Sequence, residues 1–323
     1  YPSGIAHDPI GGGSFVMDLL NNRIKHYDAD GEFVHYWLCQ QGLGLAVDPR
    51  NGIVWVAMWK NHTVNAYSPT GVLLATLGTP KKKGTEPGQF SSPHDVGIDP
   101  ATGELYVLDT GNGRIQVFDI NLDPPEAARL PAESRRASPK TDWEKFWVAV
   151  YVDNFEGELT EVPHASPFVT ELTTGLAEVG EMVREIDVSD YTPTAQFSRE
   201  FGLEDDDPIG LKTPYSLAVH PKGEFVVVAN TGQQEIIKFS PQGEVINRWR
   251  HPANETGKAL RRGDAMGSEA GQFRWPQGVA VGGDGHIYVA DTDNERAQVL
   301  DPDGQFLQFI QGPSGTQSGS FHP

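Results

Sequence analysis

The stretch that decides the fold runs Phe90-Ser91-Ser92-Pro93-His94-Asp95-Val96-Gly97-Ile98-Asp99, then Gly103-Glu104-Leu105-Tyr106-Val107-Leu108-Asp109, then Asn112-Gly113-Arg114-Ile115-Gln116-Val117-Phe118-Asp119. The pattern returns near the C-terminus as Phe273-Arg274-Trp275-Pro276-Gln277-Gly278-Val279-Ala280-Val281, then Ile287-Tyr288-Val289-Ala290-Asp291 and Asn294-Glu295-Arg296-Ala297-Gln298-Val299-Leu300-Asp301. Each copy is a string of short apolar runs separated by turn residues. Recurrence of a unit this long marks a repeat architecture.

Working outward, a Pro-x-Gly-apolar start is legible at Pro2, Gly42, Pro93, Pro214 and Pro276. Each start is a short strand rich in small residues, suited to a crowded inner edge, and a Gly or Asp turn follows. Dense β-branched or aromatic runs at 53–57, 105–108, 225–229 and 287–290 supply second strands. Third and fourth strands flank turns such as Asp28-Ala29-Asp30-Gly31 and Asp301-Pro302-Asp303-Gly304. Those turns look like calcium-loop openings but lack the later ligands, so they read as hairpins. Four short antiparallel strands per unit, repeated radially, predict an all-β chain folded as one β-propeller domain over residues 1–323.

The middle is irregular. Residues 121–145 are rich in Pro, Ala and Arg and read as an exposed insertion. Residues 147–153 imitate a first strand and turn, while 183–188 and 195–202 can supply outer strands. This predicts a divergent fourth blade and six blades in all, with five blades plus an insertion as the alternative.

Composition narrows the partners. With 44 acidic against 25 basic residues the net charge is −19, which argues against nucleic acid. No apolar run approaches the roughly 20 residues that cross a bilayer. Cys39 is the one cysteine, so no intrachain disulfide forms, and it reads as a packing residue. The sequence opens on Tyr1, as a processed chain or a fragment would. Together with the sequons at Asn61 and Asn254, predicted on exposed loops, this favours an extracellular or secretory-lumen setting.

The blade signature resembles the NHL-repeat family, in which an Asp ends the second strand and Asn and Arg follow at fixed offsets. Here it reads Asp18-x-x-Asn21-x-Arg23, Asp109-x-x-Asn112-x-Arg114 and Asp291-x-x-Asn294-x-Arg296, decaying to Asn230-x-x-Gln233-x-Glu235 and Met58-x-x-Asn61-x-Thr63. The resemblance implies a six-bladed NHL-type propeller. Its carboxylates are expected to cap turns, and its arginines to tie neighbouring strands. Pro93-His94-Asp95-Val96 and Pro214-Tyr215-Ser216-Leu217 are also similar to channel strands of the peptidyl-hydroxyglycine amidating lyases. In that family three Pro-His starts hold a catalytic zinc. The residues after each start, expected to face the channel, are Ser3, Leu43, His94, Tyr215, Gln277 and, in the divergent blade, Phe146. Only one of them is a histidine. His94, with Asp95 beside it, is therefore the single candidate for a divalent zinc or calcium ion in the channel, and a full zinc set is missing.

Long fourth-to-first connections gather on one rim with the Asp-x-x-Asn turns, and long loops on a rigid frame are the usual place for binding. They carry Lys81, Lys82 and Lys83, the acidic pair Asp205 and Asp206, and Arg261 with Arg262. The segments Gly84-Thr85-Glu86-Pro87-Gly88-Gln89-Phe90 and 267–273 lead into their repeats. The tail 313–323 contains a third such lead-in with no repeat after it, so it is expected to close the ring or reach a neighbouring subunit. The function these features favour is non-enzymatic: an interaction or assembly scaffold for a protein partner or for further copies. A metal-dependent lyase or hydrolase at His94 is the alternative.

Overall fold

The computed structural model describes residues 2–121, 194–202, 210–250 and 267–310. These form five four-stranded antiparallel sheets in which sequence neighbours pair. Blade one is β1 (Pro2–His7), β2 (Ser14–Asp18), β3 (Arg23–Tyr27) and β4 (Phe33–Leu38). Blade two is β5 (Gly42–Val47), β6 (Val54–Met58), β7 (Thr63–Tyr67) and β8 (Leu73–Leu77). Blade three is β9 (Asp95–Ile98), β10 (Glu104–Asp109), β11 (Arg114–Asn121) and β12 (Thr194–Phe201). Blade four is β13 (Ser216–Val219), β14 (Val226–Asn230), β15 (Glu235–Phe239) and β16 (Val245–Trp249). Blade five is β17 (Pro276–Val281), β18 (Ile287–Asp291), β19 (Arg296–Leu300) and β20 (Phe306–Ile310).

The expectation of six blades is corrected to five among the described residues, which matches the alternative reading. The decisive strand is β12. The sequence pattern places its residues in a separate divergent blade, yet it is the outer strand of blade three, with Ile115 opposite Phe201 and Asn121 opposite Thr194. Side chains fix that choice. Glu200 pairs with Arg114 at 2.6 Å, Arg199 pairs with Glu104, and Phe197 meets Phe118 edge to face. The expected insertion beyond residue 121, Phe146, the strands at 147–153 and 183–188, and the tail 313–323 lie outside the described residues.

Blades two, three and four bury both faces, which is why their second strands read as continuous apolar runs, whereas β18 of blade five alternates buried and exposed residues. Val54, Val56 and Met58 pack toward blade one, while Trp55 and Ala57 pack toward blade three. Similar cores join blades three and four, and four and five. Full burial of each such large side chain contributes about 1.5–3 kcal/mol. The first strands pack in the series β1, β5, β9, β13, β17 around the axis. No equivalent core joins blade five to blade one among the described residues.

Cys39 is buried against Met58, and burial pushes its thiol up to about 12, in keeping with a packing role. The Asp28 and Asp301 turns are hairpins, each closed by a glycine amide donating back to the aspartate carbonyl. The Asn61 sequon is not on an exposed loop: Thr63 is buried and Asn61 is half-buried.

Candidate interaction site at the channel mouth

Four inner-strand hydrogen bonds stitch successive blades together, and they absorb several of the residues expected to face the channel. Ser3 Oγ donates to the Leu43 carbonyl at 3.1 Å, and the Gly44 amide donates to the His94 carbonyl at 2.9 Å. The Leu217 amide donates to Asp95 Oδ2 at 3.0 Å, and the Val279 amide to Ser216 Oγ at 3.3 Å. Asp95 also accepts from its neighbour Val96 at 2.9 Å. Its carboxylate lies so close to Gly44 that a Cβ there would overlap it. Burial pushes Asp95 up to about 6, against the lowering effect of those amides. Asp95 is thus an interblade bracket, not a group offered to the channel. Gln277 and Leu43 are half-buried at the starts of their strands.

His94 faces aromatic rings. Its imidazole meets Tyr215 edge to face at 4.9 Å and Trp59 at 6.4 Å. Burial holds its pKa below the ordinary value, and Nδ1 is buried without a hydrogen-bond partner. A zinc or calcium ion needs several converging ligands. With Asp95 committed to backbone amides and Tyr215 packed on the ring, these residues do not fit a metal. Among the described residues no three His, Cys, Asp or Glu side chains come together. Trp59, the third ring of the cluster, escaped the sequence reading because it sits in the decayed blade-two turn and not after a repeat start.

The Asp-x-x-Asn-x-Arg sets do more than cap turns: they clamp the lead-in segments. Asp109 takes the Ser91 amide at 2.7 Å, Asn112 Nδ2 at 2.8 Å, Arg114 Nε at 2.9 Å and Gln116 Nε2 at 3.1 Å. The donors then reach across to the lead-in: Asn112 to the Gly84 carbonyl, Arg114 to those of Glu86 and Gln89, and Gln116 to that of Gln89. Gln116 Oε1 also accepts the Gly88 amide at 2.9 Å. Blade five repeats this arrangement with Asp291, Asn294, Arg296 and Gln298 on residues 267–272. The expectation that these arginines simply tie adjacent strands is therefore revised. The clamp is not legible from residue types because its acceptors are backbone carbonyls, which carry no side-chain signature.

Backbone bonds of its own fix the neighbouring rim loop. The Lys81 amide donates to the Asn61 carbonyl at 2.8 Å, and Thr79 bridges Lys82. Lys81, Lys82 and Lys83 are exposed on this pinned backbone. Lys60, exposed in the neighbouring turn, lies over the Trp59 ring at 4.7 Å. None of these four ammonium groups pairs with a carboxylate among the described residues. The Lys81 backbone is thus tied to the turn that carries Trp59 and Lys60. Asp205, Asp206, Arg261 and Arg262, also expected on the rim, lie outside the described residues.

Radial four-stranded blades joined by clamped lead-ins define a β-propeller of repeat type. The NHL repeat family profile matches residues 90–118 and 273–306, and the chain is an NHL-repeat propeller. It is similar to NHL repeat-containing protein 3 of Mus musculus, with 31% identity over 121 residues, 34% of this chain and 35% of that protein. It is also similar to peptidyl-glycine alpha-amidating monooxygenase of Mus musculus, with 36% identity over 80 residues, 24% of this chain and 8% of that protein. The chain therefore spans about a third of the first relative and under a tenth of the second. In fold it matches virginiamycin B lyase from Staphylococcus aureus with a TM-score of 0.50 and 12% identity, covering 97% of this chain and 70% of that one. At that identity the likeness concerns the fold alone. No helix among the described residues is long and apolar enough to cross a membrane.

Proposed function

We propose that the protein is a non-enzymatic interaction module whose channel-mouth rim binds an acidic segment of a protein partner. The observation that supports this reading is Lys60 over the Trp59 ring, with Lys81, Lys82 and Lys83 exposed on a neighbouring pinned loop and without a carboxylate partner among the described residues, on a chain whose net charge is −19. Four cations concentrated at one place on an acidic molecule steer an anionic partner there and repel copies that present their acidic faces. The half-buried rings of Trp59 and Tyr215 supply the apolar anchor that binding hot spots commonly contain. The expected ligand is thus a carboxylate-rich segment with an apolar side chain between its charges.

Selection from a random peptide library against the immobilised chain tests this. Enrichment of Asp and Glu flanking an apolar residue, abolished by the Lys81→Glu, Lys82→Glu, Lys83→Glu variant, is expected. Enrichment that ignores acidic residues, or that survives the charge reversal, contradicts the reading.

A further inference from the structure

In every described blade the turn after the second strand ends on a residue with positive φ: Asn22, His62, Gly113, Gln234 and Glu295. In blades one and two its side chain reaches toward the next blade. Asn22 Oδ1 accepts the Gln41 amide at 3.4 Å, and His62 Nδ1 accepts the Ser92 amide at 3.0 Å. Gln41 and Ser92 hold equivalent places, each with positive φ and each directly before a repeat start. The two contacts are therefore one device used twice. Only the second carries a side chain that titrates near neutral pH.

The His62 contact adjoins the channel mouth. Its turn carries Trp59 and Lys60, and Ser92 lies two residues before His94, whose ring Trp59 meets edge to face. The turn also holds to its own blade and to the connection that follows. Asn61 Nδ2 donates to Thr63 Oγ1 at 3.3 Å, and the Lys81 amide donates to the Asn61 carbonyl at 2.8 Å. An imidazole accepts a backbone amide only through an unprotonated nitrogen, whereas an imidazolium has donors alone. Protonation of His62 thus sets donor against donor and breaks the tie to Ser92. The ring is buried, and the charged groups that face it are Lys83 from the connection and Asp109 from the end of β10. Asp109 is already held by Arg114 and the Ser91 amide. Lys60 lies two residues away on the same turn, Lys81 and Lys82 precede Lys83, and His94 is the titratable group on the strand start. Burial and then the Lys83 charge hold the His62 pKa below the ordinary 6.5, against the pull of Asp109. The contact is therefore intact at neutral pH and is lost as the medium turns acid.

We propose that His62 is a proton-released latch that seats the Trp59–Lys60 turn against the start of blade three and frees it in acid. Its consequence for binding rests on the acidic-segment reading of the rim. With the latch closed, Trp59 and Lys60 stand fixed beside His94, which in turn packs on Tyr215. With it open, a ligand must order the turn as it binds, and that cost weakens its affinity. The mouth thus holds its partner at neutral pH and releases it on acidification.

Amide hydrogen exchange of the full chain, followed by NMR from about pH 7.5 to about pH 5, tests the latch. Protection of the Ser92 amide is expected to fall ~tenfold or more across this range. The Gly44 amide, bonded to the His94 carbonyl at the same boundary, should keep its own. His62→Asn supplies an acceptor at the same place, as Asn22 does in blade one, and suits the positive φ. Its Ser92 amide should stay protected throughout. Wild-type protection that is flat with pH, or that His62→Asn loses equally, overturns the proposal. As a second readout, wild-type affinity for a peptide of alternating glutamate and leucine should fall ~threefold or more relative to His62→Asn over the same range. A relative gain would show the new charge acting as one more cation at the rim, and overturns the latch as a regulator. Absence of binding at the neutral end refutes the acidic-segment reading alone, and the latch then stands or falls on the Ser92 amide.

Discussion

Arg114 Nε lies 2.9 Å from Asp109 Oδ2, with both side chains almost fully buried, and the guanidinium extends from there to two carbonyls of the preceding connection and to Glu200. One side chain thus ties the second strand, the outer strand and the lead-in of blade three. Removing one partner of a buried ion pair leaves the other uncompensated, at about 3–5 kcal/mol. Arg114→Ala is expected to lose that much in chemical denaturation, and Arg114→Lys to recover only part of it, since an ammonium cannot hold the same fork. A loss below ~1 kcal/mol would show that the clamp is ornamental, because exposed pairs contribute no more than that.

Glu235 occupies the place of that arginine in blade four and is fully buried, with Arg248 at 2.8 Å and Asn230 at 2.8 Å. Burial pushes its carboxyl from 4.5 up to about 7, outweighing the Asn230 hydrogen bond and the Arg250 charge that lower it. Over that window the unfolded chain gives up this proton before the folded chain does, so the contribution of Glu235 to stability declines from about pH 4.5 to pH 7. Histidines held below their ordinary value, such as His35 at about 3, act in the opposite sense up to about pH 6.5. The difference between wild type and Glu235→Gln isolates the effect. The wild-type curve should fall relative to the variant as pH rises through this range. Parallel curves would contradict the raised pKa.

At the channel mouth, His94→Phe keeps the edge-to-face contact with Tyr215 and removes the buried Nδ1 that has no partner. The expected change in stability lies between neutral and a gain of ~1 kcal/mol, since an unsatisfied polar group is eliminated. Elemental analysis of wild type and variant should give the same metal content. Stoichiometric zinc or calcium in the wild type that disappears in the variant would restore a metal site at His94.

Gly44→Ala should be costly for a residue that bears no side chain. The added Cβ would overlap the Asp95 carboxylate and so disturb the bracket between blades three and four. Overpacking of this kind costs about 1–3 kcal/mol. A variant as stable as wild type would place Asp95 elsewhere.

Much of this was legible in the residues. The Pro-x-Gly starts and the dense second strands located every described blade, because strand period and turn chemistry are local properties. The blade count was not legible. Residues 195–202 alternate like any outer strand, and their pairing with β11 is set by partners distant in sequence, Glu104 and Arg114. The position after each repeat start likewise announced a channel residue, yet Ser3 bonds to a neighbouring blade and the carboxylate beside His94 brackets two others. Single-residue spacing shows where a strand begins. It does not show whether a polar group turns toward the axis or toward the next blade.

The most direct test of the account is a fluorescence titration of the full chain with a short peptide of alternating glutamate and leucine, followed at Trp59 with Trp59→Phe as reference. Saturable binding that perturbs Trp59 is expected, because carboxylates engaging Lys60 alter the cation over that ring. Affinity should fall ~tenfold or more on charge reversal of Lys81, Lys82 and Lys83, and with rising salt. No binding, or binding indifferent to both changes, would contradict an acidic-segment interaction module.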